Sequence, residues 1–219
     1  MPVDFKRARQ VMVDGQVRAG GVTESRLLSA MLSVPREIFV PESRQPLAYV
    51  DDLHWFGAAG ASRFMPAPAT IAKLLHLADL QQHDRALDVG AATGYASALL
   101  AGLVTSVTAL ERDAAVADKA RANLSGLRLS NAAVVTGDIA AVGKSLFDVI
   151  IVQGVLDSVS DGLVAALDEG GRLVALIRKG PVGVAHVFVK AGGKITARAE
   201  FSAFLPPLDS AQREVEFVF

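Results

Sequence analysis

The 219-residue sequence contains no cysteine. Disulfides, thiolate metal sites and cysteine nucleophiles are thereby excluded. It has no run approaching the roughly 18 apolar residues that a membrane span requires. It has no long block of like charge either, and its net charge is −1. Non-specific binding to nucleic acid or to a membrane surface needs a concentrated positive field, so neither is expected. The opening "MPVDFKRARQ" has charges but no apolar stretch after them, which is not the pattern of a signal peptide. A cytoplasmic location is the expectation. Internal repeats and low-complexity segments are absent as well.

What is present is ordinary globular composition, 51% apolar and 21% charged. A chain of this length buries roughly 70% of its unfolded surface, enough for a full core without staples. In "TESRLLSAMLSVP", Leu27, Leu28, Met31 and Leu32 recur at helical spacing, and Pro35 stops the run. An irregular stretch follows, "VPESRQPLAYVDDLHWFGAAGASRFMPAP", rich in Pro, Gly and Ser. Connections this long are usually functional or mobile. Another helix is predicted from about Pro68, with Ile71, Leu74, Leu75 and Ala78 on one stripe.

From Arg85 strands and helices alternate. Strands are predicted at "RALDV", "SVTALE", "AAVVTG", "FDVIIVQ" and "RLVALIR", with helices near Tyr95–Leu103, Ala114–Leu124 and Ser158–Leu167. The strands are apolar on both faces, as covered parallel strands must be. Such alternation gives a doubly wound α/β sheet. Near the end, "VAHVFVKAGGKITARAEF" reads as a hairpin turning at Gly192-Gly193, and "REVEFVF" as a final strand. The chain therefore divides at 84/85, into an N-terminal helical module with a lid over the site and a sheet-bearing core to residue 219.

Ligands of doubly wound sheets sit outside the carboxyl ends of the strands, at the switch point. There the sequence reads "LDVGAATGY", with Gly90, Ala91, Ala92, Thr93 and Gly94 making a small-residue turn after Asp88. The spacing D-x-G-x-x-x-G lacks the middle glycine of the dinucleotide fingerprint. It suits a cofactor without phosphates, such as S-adenosylmethionine, whose amino-acid end the loop and Asp88 would hold. Glu111, with Arg112 beside it, lies 21 residues after Gly90 at a strand end, where a carboxylate can accept from ribose hydroxyls. Asp138 follows the third strand and is placed to accept from an adenine amino group, with Ile139 covering the ring. Gln153, at the end of the fourth strand, is a further candidate contact to the cofactor. The four histidines (His54, His76, His83 and His186) show no metal-ligand spacing, so no metal is expected.

With these motifs in view, the chain resembles the protein-L-isoaspartate O-methyltransferase family, class I enzymes dependent on S-adenosylmethionine. The resemblance runs from about Met12 to Leu208. It includes V-P-R-E-x-F-V-P, A-Y-x-D, the glycine motif, "FDVIIV", "GGRLVALI" and "FSAFLPPL". It implies a Rossmann-like, mostly parallel sheet with antiparallel C-terminal strands. It also implies S-adenosylmethionine as methyl donor, and methyl transfer to isoaspartyl residues of damaged proteins or peptides.

One position departs from the pattern. The family places a serine, thought to assist catalysis, in T-I-S-x-P before a helix, and here that position is Pro66 in "RFMPAPATIA". Proline offers neither a hydroxyl nor an N–H. Thr70 and Ser62 are hydroxyls near enough in sequence to substitute. Two other readings stay open, a cofactor-binding relative without turnover and a methyltransferase for a different acceptor.

Overall fold

The computed structural model describes residues 3–56 and 63–208. The predicted final strand "REVEFVF" and Ser62 lie outside those residues. Helix α1 (Phe5–Met12) starts where Asp4 accepts from the Arg7 amide, and runs on into a π-helical turn over Val13–Arg18. Helix α2 (Ser25–Ser33) is capped by Glu24, which accepts from the Arg26 and Leu27 amides, and it ends two residues before Pro35. The stretch read as irregular contains two short strands, β1 (His54–Phe56) and β2 (Arg63–Met65), paired antiparallel with His54 opposite Met65. Helix α3 (Pro68–Leu77) begins with proline at its first turn, where no amide hydrogen is missed. Asp51, the acid of A-Y-x-D, accepts from the Ala69 amide and completes that cap.

The alternating region then gives β3 (Arg85–Val89), α4 (Tyr95–Ala101), β4 (Ser106–Glu111), α5 (Ala114–Gly126) and β5 (Ala132–Thr136). After these come β6 (Phe147–Leu156), α6 (Asp161–Ala166), β7 (Leu167–Lys179), β8 (Val182–Ala191) and β9 (Lys194–Ala203). Among the described residues they form a seven-stranded sheet in the order β5-β4-β3-β6-β7-β8-β9. The first five pair in parallel, while β8 and β9 run antiparallel and turn at Gly192-Gly193, both at positive φ. The last crossover helix is shorter than its apolar spacing suggests. Ser160 caps it by accepting from the Leu163 amide, and Leu167 already belongs to β7.

Alternation along β6 explains why this strand is apolar throughout. Val149 and Ile151 face one core, which holds Met31, Phe39, Leu74, Leu99 and Val174. Ile150 and Val152 face the other, with Leu87, Leu110, Leu163 and Leu173. The first core includes residues on both sides of position 84, so the N-terminal helices and the sheet share it. Arg172 anchors the sheet's amino edge, pairing with the buried Asp84 and donating to the Ala78 carbonyl. No helix among the described residues is long and apolar enough to cross a membrane.

Candidate active site

Strand order reverses between the parallel neighbours β3 and β6, and a cavity of about 880 Å³ opens at the carboxyl edge there. Gly90, Arg112, Asp138 and Ile139 line it, joined by Arg63, Val155, Leu163, Pro207 and Leu208. Of the residues singled out from the sequence, these first four reach the cavity wall. Asp88, Ala91, Ala92, Thr93, Gly94, Glu111 and Gln153 are buried or packed beside it and do not line it.

Gly90 has φ +76°, in the region that side chains avoid. A Cβ built there would fall 2.6 Å from Leu208 Cδ1 and 3.3 Å from Arg63 Nη2, so backbone forms the wall at this point. The loop beyond is fixed from behind. The Ala92 amide donates to Glu111 Oε2 at 2.8 Å, and the Thr93 hydroxyl donates to the Phe39 carbonyl at 2.6 Å. Ala91 is buried, and Gly94, at φ +94°, starts α4 against Ala120 and Leu124 of α5.

Asp88 is fully buried, accepting from Ser97 Oγ and from Gln153 Nε2, each at 2.5 Å. Burial raises its pKa to about 6, although both hydrogen bonds pull the other way. Asp88 and Gln153 thus form a strut between β3 and β6 beneath the loop. Asp138 lines the cavity with Oδ1 accepting from the Ala140 amide. Ile139 meets α6 at Gly162, where an added Cβ would lie 2.8 Å from Ile139 Cγ2.

Glu111 is 0% exposed and accepts three hydrogen bonds. Arg63 Nη2 donates to Oε2 at 2.7 Å alongside the Ala92 amide, and the Asp113 amide donates to Oε1 at 2.9 Å. An ionised carboxylate offers about four acceptor directions. With Arg63 in place, one is left. Arg63 comes from β2 and is 9% exposed. Its Nη1 donates to the Leu208 carbonyl at 3.2 Å, and its Nε–H is buried without an acceptor among the described residues.

The C-terminal segment crosses this edge as an added parallel bridge. Val155 N donates to the Pro206 carbonyl at 2.9 Å, and Leu208 N to the Val155 carbonyl at 3.1 Å. Gly154 permits the crossing, since a Cβ there would lie 2.7 Å from Leu208 Cα and 2.8 Å from its N.

Pro66 is buried, and its carbonyl accepts from Arg36 Nη2 at 2.7 Å. Arg36 is itself fully buried, donates from Nε to the Ala48 carbonyl, and lies 4.7 Å from the centre of the Tyr95 ring. Burial lowers its pKa. Thr70 is half-buried on α3 and Trp55 packs on Phe64 across the hairpin, and neither is part of the cavity wall. Asp157 and Arg178 do line it, paired with each other at 2.6 Å.

Arg63 escaped sequence reading because nothing local marks it. Its partner stands 48 positions away. Leu205–Leu208 left a trace only as "FLPPL".

Residues 7–212 match the family model for protein-L-isoaspartate(D-aspartate) O-methyltransferase (PCMT). A protein-L-isoaspartate O-methyltransferase of Methanoculleus marisnigri is 35% identical over 173 residues, covering 78% of this chain and 77% of its own. One from Koribacter versatilis is 34% identical over 193 residues, covering 87% and 86%. A Plasmodium falciparum structure named a beta-aspartate methyltransferase (PCMT), solved with S-adenosyl-L-homocysteine, superposes with a TM-score of 0.79 at 22% identity. It covers 95% of this chain and 99% of that one.

Proposed function

The chain belongs to the protein-L-isoaspartate(D-aspartate) O-methyltransferase family, and on that premise we propose that it methylates the carboxylate of isoaspartyl residues in proteins or peptides, with S-adenosylmethionine as donor. The observation that carries this reading is the cavity at the switch point, walled by the Gly90 backbone, Asp138 and Ile139, with Glu111 behind the loop. The donor set fits this cofactor. Gly90 lets a ligand approach the backbone where a Cβ has no room. Asp138 accepts from an adenine amino group while Ile139 and Leu163 give an apolar wall. Glu111 keeps one direction for a ribose hydroxyl.

Bound in this cavity, S-adenosylmethionine would supply an activated methyl carbon to a carboxylate that is already an anion, so no proton would have to be removed. The protein therefore needs no general base. Its residues align the partners and exclude water, which is where such a site gains rate. Leu208 and Pro207 close one side of the cavity.

Transfer of labelled methyl to an isoaspartyl peptide, with the normal aspartyl peptide as control, tests the reading. Selective labelling of the isoaspartyl form is the expected result. No labelling, with cofactor binding confirmed, supports instead a cofactor-binding relative without turnover, the alternative that Pro66 favours. A separate expectation concerns the adenine: Asp138→Ala weakens cofactor binding several-fold in calorimetry. Unchanged affinity would remove Asp138 from the site.

A further inference from the structure

We infer that Arg63 is the residue that anchors the acceptor carboxylate, taking over the task of orienting the substrate that Pro66 cannot perform. The inference rests on the isoaspartyl reading above. Arg63 and Pro66 belong to the same short segment, three residues apart. Pro66 has no donor, and its carbonyl is held by Arg36. Arg63 presents a guanidinium at the cavity wall, beside Gly90 and linked to Glu111.

A guanidinium has five N–H bonds in a fixed fork. Among the described residues one goes to Glu111 and one to the Leu208 carbonyl, which leaves three, with Nε–H buried and lacking an acceptor there. The group is therefore fixed at two points and still has donors to offer. Planar, paired N–H bonds match a carboxylate better than any other side chain does. Glu111 balances the charge of Arg63, so a cationic donor is not driven out of the same cavity. The Arg178 guanidinium on the wall is paired instead with the exposed Asp157.

Methylation converts the acceptor from an anion to a neutral ester. Its interaction with a cation is stronger before transfer than in the transition state, so it supports binding more than rate. Arg63 consequently acts on KM. Losing a hydrogen bond to a charged group costs ~10- to 100-fold in affinity.

The test compares wild type with Arg63→Gln, which keeps an amide donor for Glu111, and with Arg63→Lys, which keeps the charge but not the fork. Steady-state kinetics on an isoaspartyl peptide are measured beside calorimetric affinities for the peptide and, separately, for S-adenosylmethionine. Arg63→Gln is expected to raise peptide KM and Kd by ~10- to 100-fold, with kcat at saturation held or slightly raised. Cofactor affinity is expected to change less than about twofold, a smaller effect than any lost charged hydrogen bond. Arg63→Lys falls between. Unchanged peptide affinity in an active protein overturns the inference. So does an equal loss of cofactor affinity, which would assign Arg63 to the ribose through Glu111. A wild type that transfers nothing overturns the isoaspartyl reading itself and takes this assignment with it.

Discussion

Gly90→Val is expected to remove saturable S-adenosylmethionine binding, a loss of ~100-fold or more. Two effects add. Valine at φ +76° is strained by about 1–3 kcal/mol, and its Cβ would meet Leu208 Cδ1 at 2.6 Å, with two more methyl carbons to place. Overpacking of that kind costs roughly another 1–3 kcal/mol. Leu208 can swing away in the free protein, so part of the cost is relieved, but the valine side chain then occupies the cavity. The fold should survive because the Gly90 and Ala91 amides still reach the Leu110 carbonyl. A melting temperature lower by several degrees is expected, at roughly 2–4 °C for each kcal/mol. Gly126→Ala is the control. Gly126 ends α5 with open space around it, so alanine there should gain up to about 1 kcal/mol and leave binding untouched. Calorimetry that returns wild-type affinity for Gly90→Val would mean that the ligand does not approach this loop.

The sheet could be read from sequence because parallel strands declare themselves. Val149, Ile150, Ile151 and Val152 of β6 are apolar in succession since both faces of the strand are covered. The loop was legible for a related reason: Gly90 and Gly94 stand where only small residues or positive φ fit. What failed to appear was structure set by distant partners. The β1–β2 hairpin has three-residue strands, too short for any period to emerge from a Pro- and Gly-rich stretch. Glu111 was visible as a strand-end acid, but its bond to Arg63 was not. That bond needs the hairpin folded back over the sheet's carboxyl edge, and no local pattern encodes such a fold-back. Arg36 shows the same limit. A charged residue in V-P-R-E reads as surface, yet it lies buried between the carbonyls of Ala48 and Pro66.

The pH dependence of stability should hide two opposed terms that single substitutions separate. Asp88, ordinarily near 3.8, titrates at about 6 in the fold because burial disfavours its anion. Its contribution to stability is full below about pH 4 and is lost as pH rises through 6. The loss amounts to on the order of 3 kcal/mol. His54 has the opposite sign. Burial, with Arg36 and Arg44 nearby, lowers its pKa from 6.5 to about 4. Its contribution is full above 6.5 and is lost as pH falls through 4. The Ala48 backbone carbonyl and, less, Asp52 act in the other direction. Asp148 and Asp168, held low by Arg85, keep their contribution throughout this window and lose it only at lower pH. Between pH 4 and 6.5 the two main terms therefore offset, and urea unfolding of the wild type should give a nearly flat profile. Asp88→Asn keeps a polar group for Ser97 and Gln153 and removes the titration, so stability should then fall on acidification. His54→Leu should do the reverse, with stability rising as pH drops from 6.5 towards 4. The double variant should be flat again. Parallel profiles for all four proteins would show that neither group changes its proton affinity on folding, and would place Asp88 in contact with water rather than in the strut beneath the Gly90–Gly94 loop.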